Sequence, residues 1–372
     1  MKYPKEKILI TVLLLVLLFV LTSVIISSDT SVHLSARAVS LYEPVTESFL
    51  YTKNADTPLP MASTTKIMTA LVAIENYPLD KEVTVADEAT GIEGSSLYLK
   101  PGEVLTMREL LYGLMLRSAN DAAAAIAYAV SGGITEFADM MNERAISMGL
   151  ENTHFCNPHG LDAPQHFTTA RELAKIAAEA LKNPDFKQIA STYKKTITSS
   201  ENEARLVVNH NKLLHLYDGA IGVKTGFTKK CGRCLVGAAE RDGLTFITVT
   251  IDAPDDWNDH IKLFDLGFSS MELKRFGKGD FSYEIPVINR ESQQRISVSN
   301  KEEFSLVTKK GDSGIIPHVR LSRYASAPVS EGDIMGKVIF TKDGEYVGEL
   351  DLTADSGIQK ETKRGFFSFF KK

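Results

Sequence analysis

Pro60-Met61-Ala62-Ser63-Thr64-Thr65-Lys66-Ile67-Met68-Thr69-Ala70 is the stretch on which the reading of this chain turns. From Met61 to Glu75 the apolar residues Ile67, Met68, Leu71, Val72 and Ile74 recur at helical spacing, which predicts a helix. Residues three apart share one face of a helix, so Ser63 and Lys66 project into the same space one turn apart. Pro60 suits a helix start, where free backbone N–H groups and the positive dipole end are on offer. A serine hydroxyl is a weak nucleophile until a base takes its proton. Lysine serves as that base only where its ammonium form is disfavoured, by burial or by a neighbouring cation.

Two later motifs complete a set. Ser118-Ala119-Asn120 places a hydroxyl and an amide two residues apart ahead of an alanine-rich helix, suited to relaying a proton and holding a substrate amide. Lys224-Thr225-Gly226 heads a pair of strands and offers a cation, a hydroxyl and backbone groups with which an extended peptide can pair. Lys224 is also the neighbouring cation that Lys66 needs. Together the three motifs suit acyl transfer from a substrate bearing a carboxylate. A single S-x-x-K is weak evidence. The chain carries its own decoys, Ser191-Thr192-Tyr193-Lys194 and Ser200-Glu201-Asn202, nearly overlapping in a polar stretch with no apolar helix behind them. Only the first set has the helix and the K-T-G.

Outward from Ser63, Arg37–Tyr42 and Ser48–Lys53 read as two strands around Glu43-Pro44. Met107–Arg117, Asp121–Val130, Ile134–Met148 and Ala170–Leu181 read as helices. Cys234–Glu240 and Leu244–Ile251 read as a hairpin about Arg241-Asp242-Gly243, followed by a helix capped at Asp255-Asp256 and ending near Gly267. Strands at both ends with helices between them predict an α/β (α+β) domain with one sheet whose edges come from distant parts of the chain. From Lys278 to Asp355, short alternating strands with glycine turns read as a small all-β domain. The expected organisation is 1–30 signal-anchor or signal peptide, 31–277 main domain, 278–358 β-rich domain and 359–372 short amphipathic tail.

A length of 372 residues exceeds one ordinary domain, and 44% apolar with 24% charged residues is ordinary for a globular chain. A net charge of −5 argues against nucleic acid as a partner. Lys2, Lys5 and Lys7 precede an uncharged run from Ile8 to Ile26 long enough to span a bilayer, which reads as a signal-anchor in preference to a cleaved signal. The lysines then face the cytoplasm and the bulk of the chain is exported. Phe366, Phe367, Phe369 and Phe370 among lysines suit either an interfacial anchor or a sticky tail. Cys231 and Cys234 form a C-x-x-C, read as ordinary partly buried thiols. His154, Cys156, His159, Asp162 and His166 crowd together, but their spacing fits no metal-ligand pattern. Asp255, Asp256, Asp259 and His260 read as a helix cap and an exposed face.

The motif trio S-x-x-K, S-x-N and K-T-G is shared by class A β-lactamases and penicillin-binding proteins. With Gly94-Ser95-Ser96-Leu97, Asn152-Thr153-His154-Phe155, His159-Gly160-Leu161-Asp162 and Gly222-Val223-Lys224-Thr225-Gly226-Phe227-Thr228, the chain from Arg37 to Gly267 resembles a low-molecular-mass penicillin-binding protein, a serine D-alanyl-D-alanine carboxypeptidase. The β-rich part resembles that family's C-terminal domain. The resemblance implies a β-lactamase/transpeptidase-like fold, an antiparallel sheet with helices on both faces and a helical subdomain, with peptidoglycan stem peptides as substrate and β-lactams as covalent inhibitors. It calls for no cofactor and no metal. It implies Ser63 as nucleophile, Lys66 as base, Ser118 and Asn120 as relay and peptide-binding groups, and Lys224, Thr225 and Gly226 as the substrate-binding strand. The backbone N–H groups of Ser63 and Phe227 would form the oxyanion hole. Some family members hold the substrate carboxylate with an arginine after the second C-terminal strand. Here that region reads Asp252-Ala253-Pro254-Asp255-Asp256-Trp257, leaving Lys224 and Thr225 for the task. An endopeptidase would use identical residues. A class A β-lactamase would also need a glutamate in E-x-x-L-N, and no such run follows Asn120.

Overall fold

The computed structural model describes residues 32–289 and 292–360. The predicted membrane segment before Ser28 and the phenylalanine tail lie outside the described residues. The chain divides into two units, residues 1–35 and 36–372, and every element below belongs to the second.

In chain order the main domain runs β1 (Ala38–Glu43), β2 (Ser48–Lys53), a 3-10 turn at Ala62–Thr65, α1 (Lys66–Asn76), β3 (Glu82–Thr84), β4 (Val104–Thr106), α2 (Met107–Leu116), α3 (Asn120–Ser131), α4 (Ile134–Ser147), α5 (Ala170–Lys182), α6 (Pro184–Ser191), β5 (Lys194–Thr198), β6 (Ala204–Val208), α7 (Leu213–Leu216), β7 (Ala220–Thr228), β8 (Gly232–Arg241), β9 (Leu244–Ile251) and α8 (Asp256–Ser270). Five strands form one antiparallel sheet in the order β2-β1-β9-β8-β7. The N-terminal hairpin thus completes a sheet built mainly from the C-terminal strands, as expected. β7 is its outer edge.

Helices cover both faces, α5 packing on β1 and β9 and α8 on β8 and β9. The first eight residues of α1, Lys66 to Ala73, are all buried. A helix with no wet side belongs at the centre of a core. Local signals set the boundaries around it. Thr106 and Glu109 make a reciprocal capping box at the start of α2, and Thr169 caps α5 by accepting from Glu172 N. Gly132, with φ +84°, ends α3 in the left-handed conformation that glycine adopts without strain.

Two expectations need correction, and one stretch folds into elements that the sequence pattern did not announce. Met61–Glu75 is not one α-helix: Ser63 sits in the 3-10 turn that precedes α1. The polar stretch holding the decoy motifs folds into the end of α6 and the β5–β6 hairpin, whose strands the composition concealed. Asp256, Asp259 and His260 do not form an exposed face, since none is more than 2% exposed. Asp256 binds Arg233, Asp259 accepts from Ala36 N, and His260 lies between the hydroxyls of Thr248 and Thr250. These aspartates turn inward because α8 must lie on a sheet face that itself presents threonines and an arginine.

The β-rich part follows as β10 (Met271–Phe276), β11 (Ser282–Asn289), β12 (Ser292–Ser299), β13 (Phe304–Lys309), β14 (Ile315–Leu321), β15 (Ala325–Ser326), β16 (Ile334–Lys342) and β17 (Glu345–Ala354). β10 pairs with β13, and the other six form a sheet in the order β14-β16-β17-β12-β11-β15. Phe340 is its aromatic centre, with Phe276, Phe281 and Phe304 at ring-centroid distances of 4.6, 5.8 and 4.3 Å.

Candidate active site

The 3-10 turn, the start of α3 and the edge strand β7 converge on one cleft of about 410 Å³. Ser63, Ser95, Ser118, Thr225, Phe227, Arg233 and Trp257 are among the residues that line it. The three predicted motifs are therefore together in space.

Lys66 Nζ has three partners: Ser63 Oγ at 3.0 Å, Asn120 Oδ1 at 2.7 Å and the His159 carbonyl at 2.5 Å. A neutral amine has two N–H groups and one lone pair. The two carbonyl oxygens can only accept, so they take the N–H groups and leave the lone pair facing Ser63. The Lys66 side chain is fully buried. Burial, and then the nearby Lys224 cation, hold its pKa well below the ordinary lysine value, with the Asp121 carboxylate opposing. The amine is thus chemically prepared to take a hydroxyl proton.

Lys224, on β7, places Nζ 3.0 Å from Ser118 Oγ and 3.0 Å from the Thr225 carbonyl. Its side chain is 1% exposed, and burial pulls its pKa down to about 7. Asn120 is fixed at its other end, where Nδ2 donates to Glu93 O at 2.5 Å. A Cβ on Gly94 would come within 2.8 Å of that same amide nitrogen.

Gly226 has a steric reason. A Cβ there would lie 3.1 Å from Ser63 N and 3.2 Å from both Ala62 Cβ and Met61 O. A side chain at Gly226, where the strand edge approaches the turn that carries Ser63, would make that turn give way by a few tenths of an ångström. The same approach puts Ser63 N beside the Gly226–Phe227 peptide. Ala62 and Ser118 both have left-handed backbones, φ +48° and +62°, strain that the surrounding packing must hold in place. Gly160, at φ +86°, closes the back of this turn, where a Cβ would clash with the Ala62 carbonyl oxygen at 2.1 Å.

Several contributors had no assigned role in the sequence reading, although His159 falls in a segment that carried the resemblance. The His159 carbonyl binds Lys66. His166 Nε2 lies 2.7 Å from Thr65 Oγ1, and its Nδ1 accepts from Cys156 N at 3.0 Å. Burial drives the His159 and His166 imidazoles down to about 3 and about 4, so both are neutral parts of the wall. Asp121, 1% exposed, accepts from Leu97 N and Leu99 N at 3.0 Å and from Ser96 Oγ at 2.6 Å, which pins the segment holding Ser95. The decoy Ser191 lies at the end of α6, outside the cleft lining, and its Oγ donates back to Gln188 O. Cys231 and Cys234 are buried with their sulfurs 2.9 Å apart, and Cys231 Sγ donates to Pro60 O.

Comparison with known proteins agrees with this geometry. The D-alanyl-D-alanine carboxypeptidase family model matches residues 25–255, and that of the penicillin-binding protein 5 C-terminal domain matches 272–360. D-alanyl-D-alanine carboxypeptidase DacF of Bacillus subtilis is 32% identical over 91% of this chain and 88% of its own length. DacC of Escherichia coli is 32% identical over 89% and 86%. Among solved structures, penicillin binding protein 5 of Haemophilus influenzae superposes with a TM-score of 0.65 at 25% identity, over 89% of this chain and 99% of that one. A Streptomyces DD-transpeptidase superposes with a TM-score of 0.61 at 36% identity, over 64% and 99%. The chain belongs to the D-alanyl-D-alanine carboxypeptidase family, and its β-rich part is that family's C-terminal domain.

Proposed function

We propose that the protein is a serine-type carboxypeptidase that removes the terminal D-alanine from peptidoglycan stem pentapeptides through an acyl-enzyme on Ser63. The observation that carries this reading is the buried Lys66 Nζ 3.0 Å from Ser63 Oγ, with Asn120 Oδ1 and the His159 carbonyl placed to take its N–H groups. Lys66 takes the serine proton, and the Ser63 oxygen attacks the carbonyl of the penultimate D-alanine. The tetrahedral oxyanion sits between the backbone N–H groups of Ser63 and Phe227. Ser118, polarised by Lys224, gives its proton to the departing D-alanine nitrogen and regains one from the Lys66 ammonium, which restores the neutral amine. Asn120, Thr225 and Gly226 hold the peptide against the edge of β7. Water then releases the shortened stem. A β-lactam enters by the same route and leaves slowly.

The domains are assigned as 31–277 for the catalytic part, 278–358 for the β-rich part and 359–372 for the tail. The segment 1–30 holds the protein at the outer face of the cell membrane. That location rests on the uncharged run Ile8–Ile26 behind three lysines. No helix among the described residues is long and apolar enough to cross a membrane.

Mass spectrometry of a pentapeptide muropeptide before and after exposure to the enzyme tests the activity. Loss of a single alanine residue is expected, with a cross-linked muropeptide dimer cleaved far more slowly. Faster cleavage of the dimer would make the protein an endopeptidase.

A further inference from the structure

The substrate assigned above ends in a carboxylate, and the sequence offered only Lys224 and Thr225 to hold it. Lys224 points the wrong way for the whole task. Its ammonium is buried and already bound to Ser118 Oγ and the Thr225 carbonyl, on the Ser63 side of β7. Thr225 and Phe227 project from the opposite side of that strand, because strand side chains alternate. There, Thr225 lies opposite Leu235 of β8, and Phe227 opposite Arg233. Arg233 is therefore the diagonal neighbour of Thr225 on one sheet face, about 7–8 Å away, a gap that a long side chain spans.

Arg233 is also held ready. Its side chain is 44% exposed and lines the same cleft as Ser63 and Thr225. Both hydrogen bonds to Asp256, at 2.8 and 2.9 Å, leave from Nη2. The guanidinium carbon stands 5.7 Å from the centroid of the Trp257 ring. Asp256 is 2% exposed and also accepts from Trp257 N, so the first turn of α8 fixes the arginine at one corner. A guanidinium carries five N–H donors in a rigid fork that matches a carboxylate two at a time. The corner at Asp256 leaves the remaining edge for a ligand.

We infer that Arg233 binds the terminal carboxylate of the substrate together with Thr225. This rests on the carboxypeptidase reading and adds to it a specificity residue supplied by β8. Lys224, brought down to about 7 by burial, is only partly charged at neutral pH, whereas a guanidinium stays charged throughout. Lys212 lines the same cleft and is the rival cation.

The test uses the full chain and two probes that differ only at the carboxylate, benzylpenicillin and its methyl ester. Second-order acylation rates are measured on wild type, Arg233→Gln, Arg233→Lys and Lys212→Ala. Losing a charge-assisted bond should slow acylation of Arg233→Gln by the free acid about 10- to 100-fold, with the ester rate within about twofold of wild type. Arg233→Lys keeps a charge and should recover part of the preference for the acid, and Lys212→Ala should keep it whole. If Arg233 only anchors α8, both probes lose rate equally or neither does, and the inference fails. Transfer of the preference to Lys212 would overturn it as well. Wild-type protein acylated by neither probe would instead refute the carboxypeptidase reading beneath it.

Discussion

At the scale of single residues, the site depends on what burial does to two lysines. Lys66 must be neutral to accept a proton, and its burial and Lys224 favour the neutral form. The free ammonium is protonated below its pKa, so acylation should rise with pH as Lys66 loses its proton. The limb should lie well below the roughly 10.4 of an exposed lysine. Lys66→Arg keeps the length and charge but cannot deprotonate, and should lose about 100- to 10,000-fold in acylation rate. Stopped-flow acylation against pH measures both, and an active arginine variant would mean that another group is the base. That Ser63, Lys66, Ser118, Asn120, Lys224 and Gly226 come together in one cleft was legible in the sequence, because the three motifs pair side chains whose chemistry is complementary. The His159 carbonyl was not, because any residue type supplies the same backbone acceptor.

At the scale of elements, the active site is assembled by loops fastened to helix ends. Asp121 follows Asn120 at the start of α3 and gathers Leu97 N, Leu99 N and Ser96 Oγ from the segment that carries Ser95. Asp121→Ala strands at least two buried donors, each costing about 1–3 kcal/mol, and should lower stability by about 3 kcal/mol or more in urea denaturation. Asp121→Asn keeps one acceptor oxygen and should cost less. Because the Asp121 charge raises the Lys66 pKa, its removal should also move the acylation limb to lower pH. A limb that stays in place, or moves upward, would contradict that coupling. Strongly periodic elements such as α2 and β9 were readable to within a residue. The start of α1 was not: a periodic apolar pattern cannot tell the 3-10 turn, which sets Ser63 against β7, from one more turn of α-helix. The β5–β6 hairpin escaped for a related reason. Burial alternates along β6, but polar and charged residues crowd both strands.

At the scale of the whole molecule, the catalytic domain continues directly into the β-rich part, with Lys310 N donating to Ser270 O at 2.8 Å and Arg275 Nη2 to Asp242 O at 2.9 Å. Alternation and turns made that β architecture legible. The packing of Phe276, Phe281 and Phe304 on Phe340 depends on cross-strand register, which one strand's pattern does not contain. The proposed attachment to the membrane belongs at this scale too. Replacing Met1–Ser28 with a cleavable signal should release most of the protein from membranes, while deleting Lys360–Lys372 should release little, as fractionation would measure. Four phenylalanines give only reversible surface binding. Mature protein that starts near Ser28 and stays bound would reverse that ranking.

The central claim is that Ser63, and not the decoy Ser191, becomes the acyl-enzyme. Labelling with a fluorescent penicillin, followed by peptide mapping of the adduct, tests it most directly. The adduct should map to Ser63, vanish in Ser63→Ala and persist undiminished in Ser191→Ala. Undiminished labelling of Ser63→Ala would contradict the account.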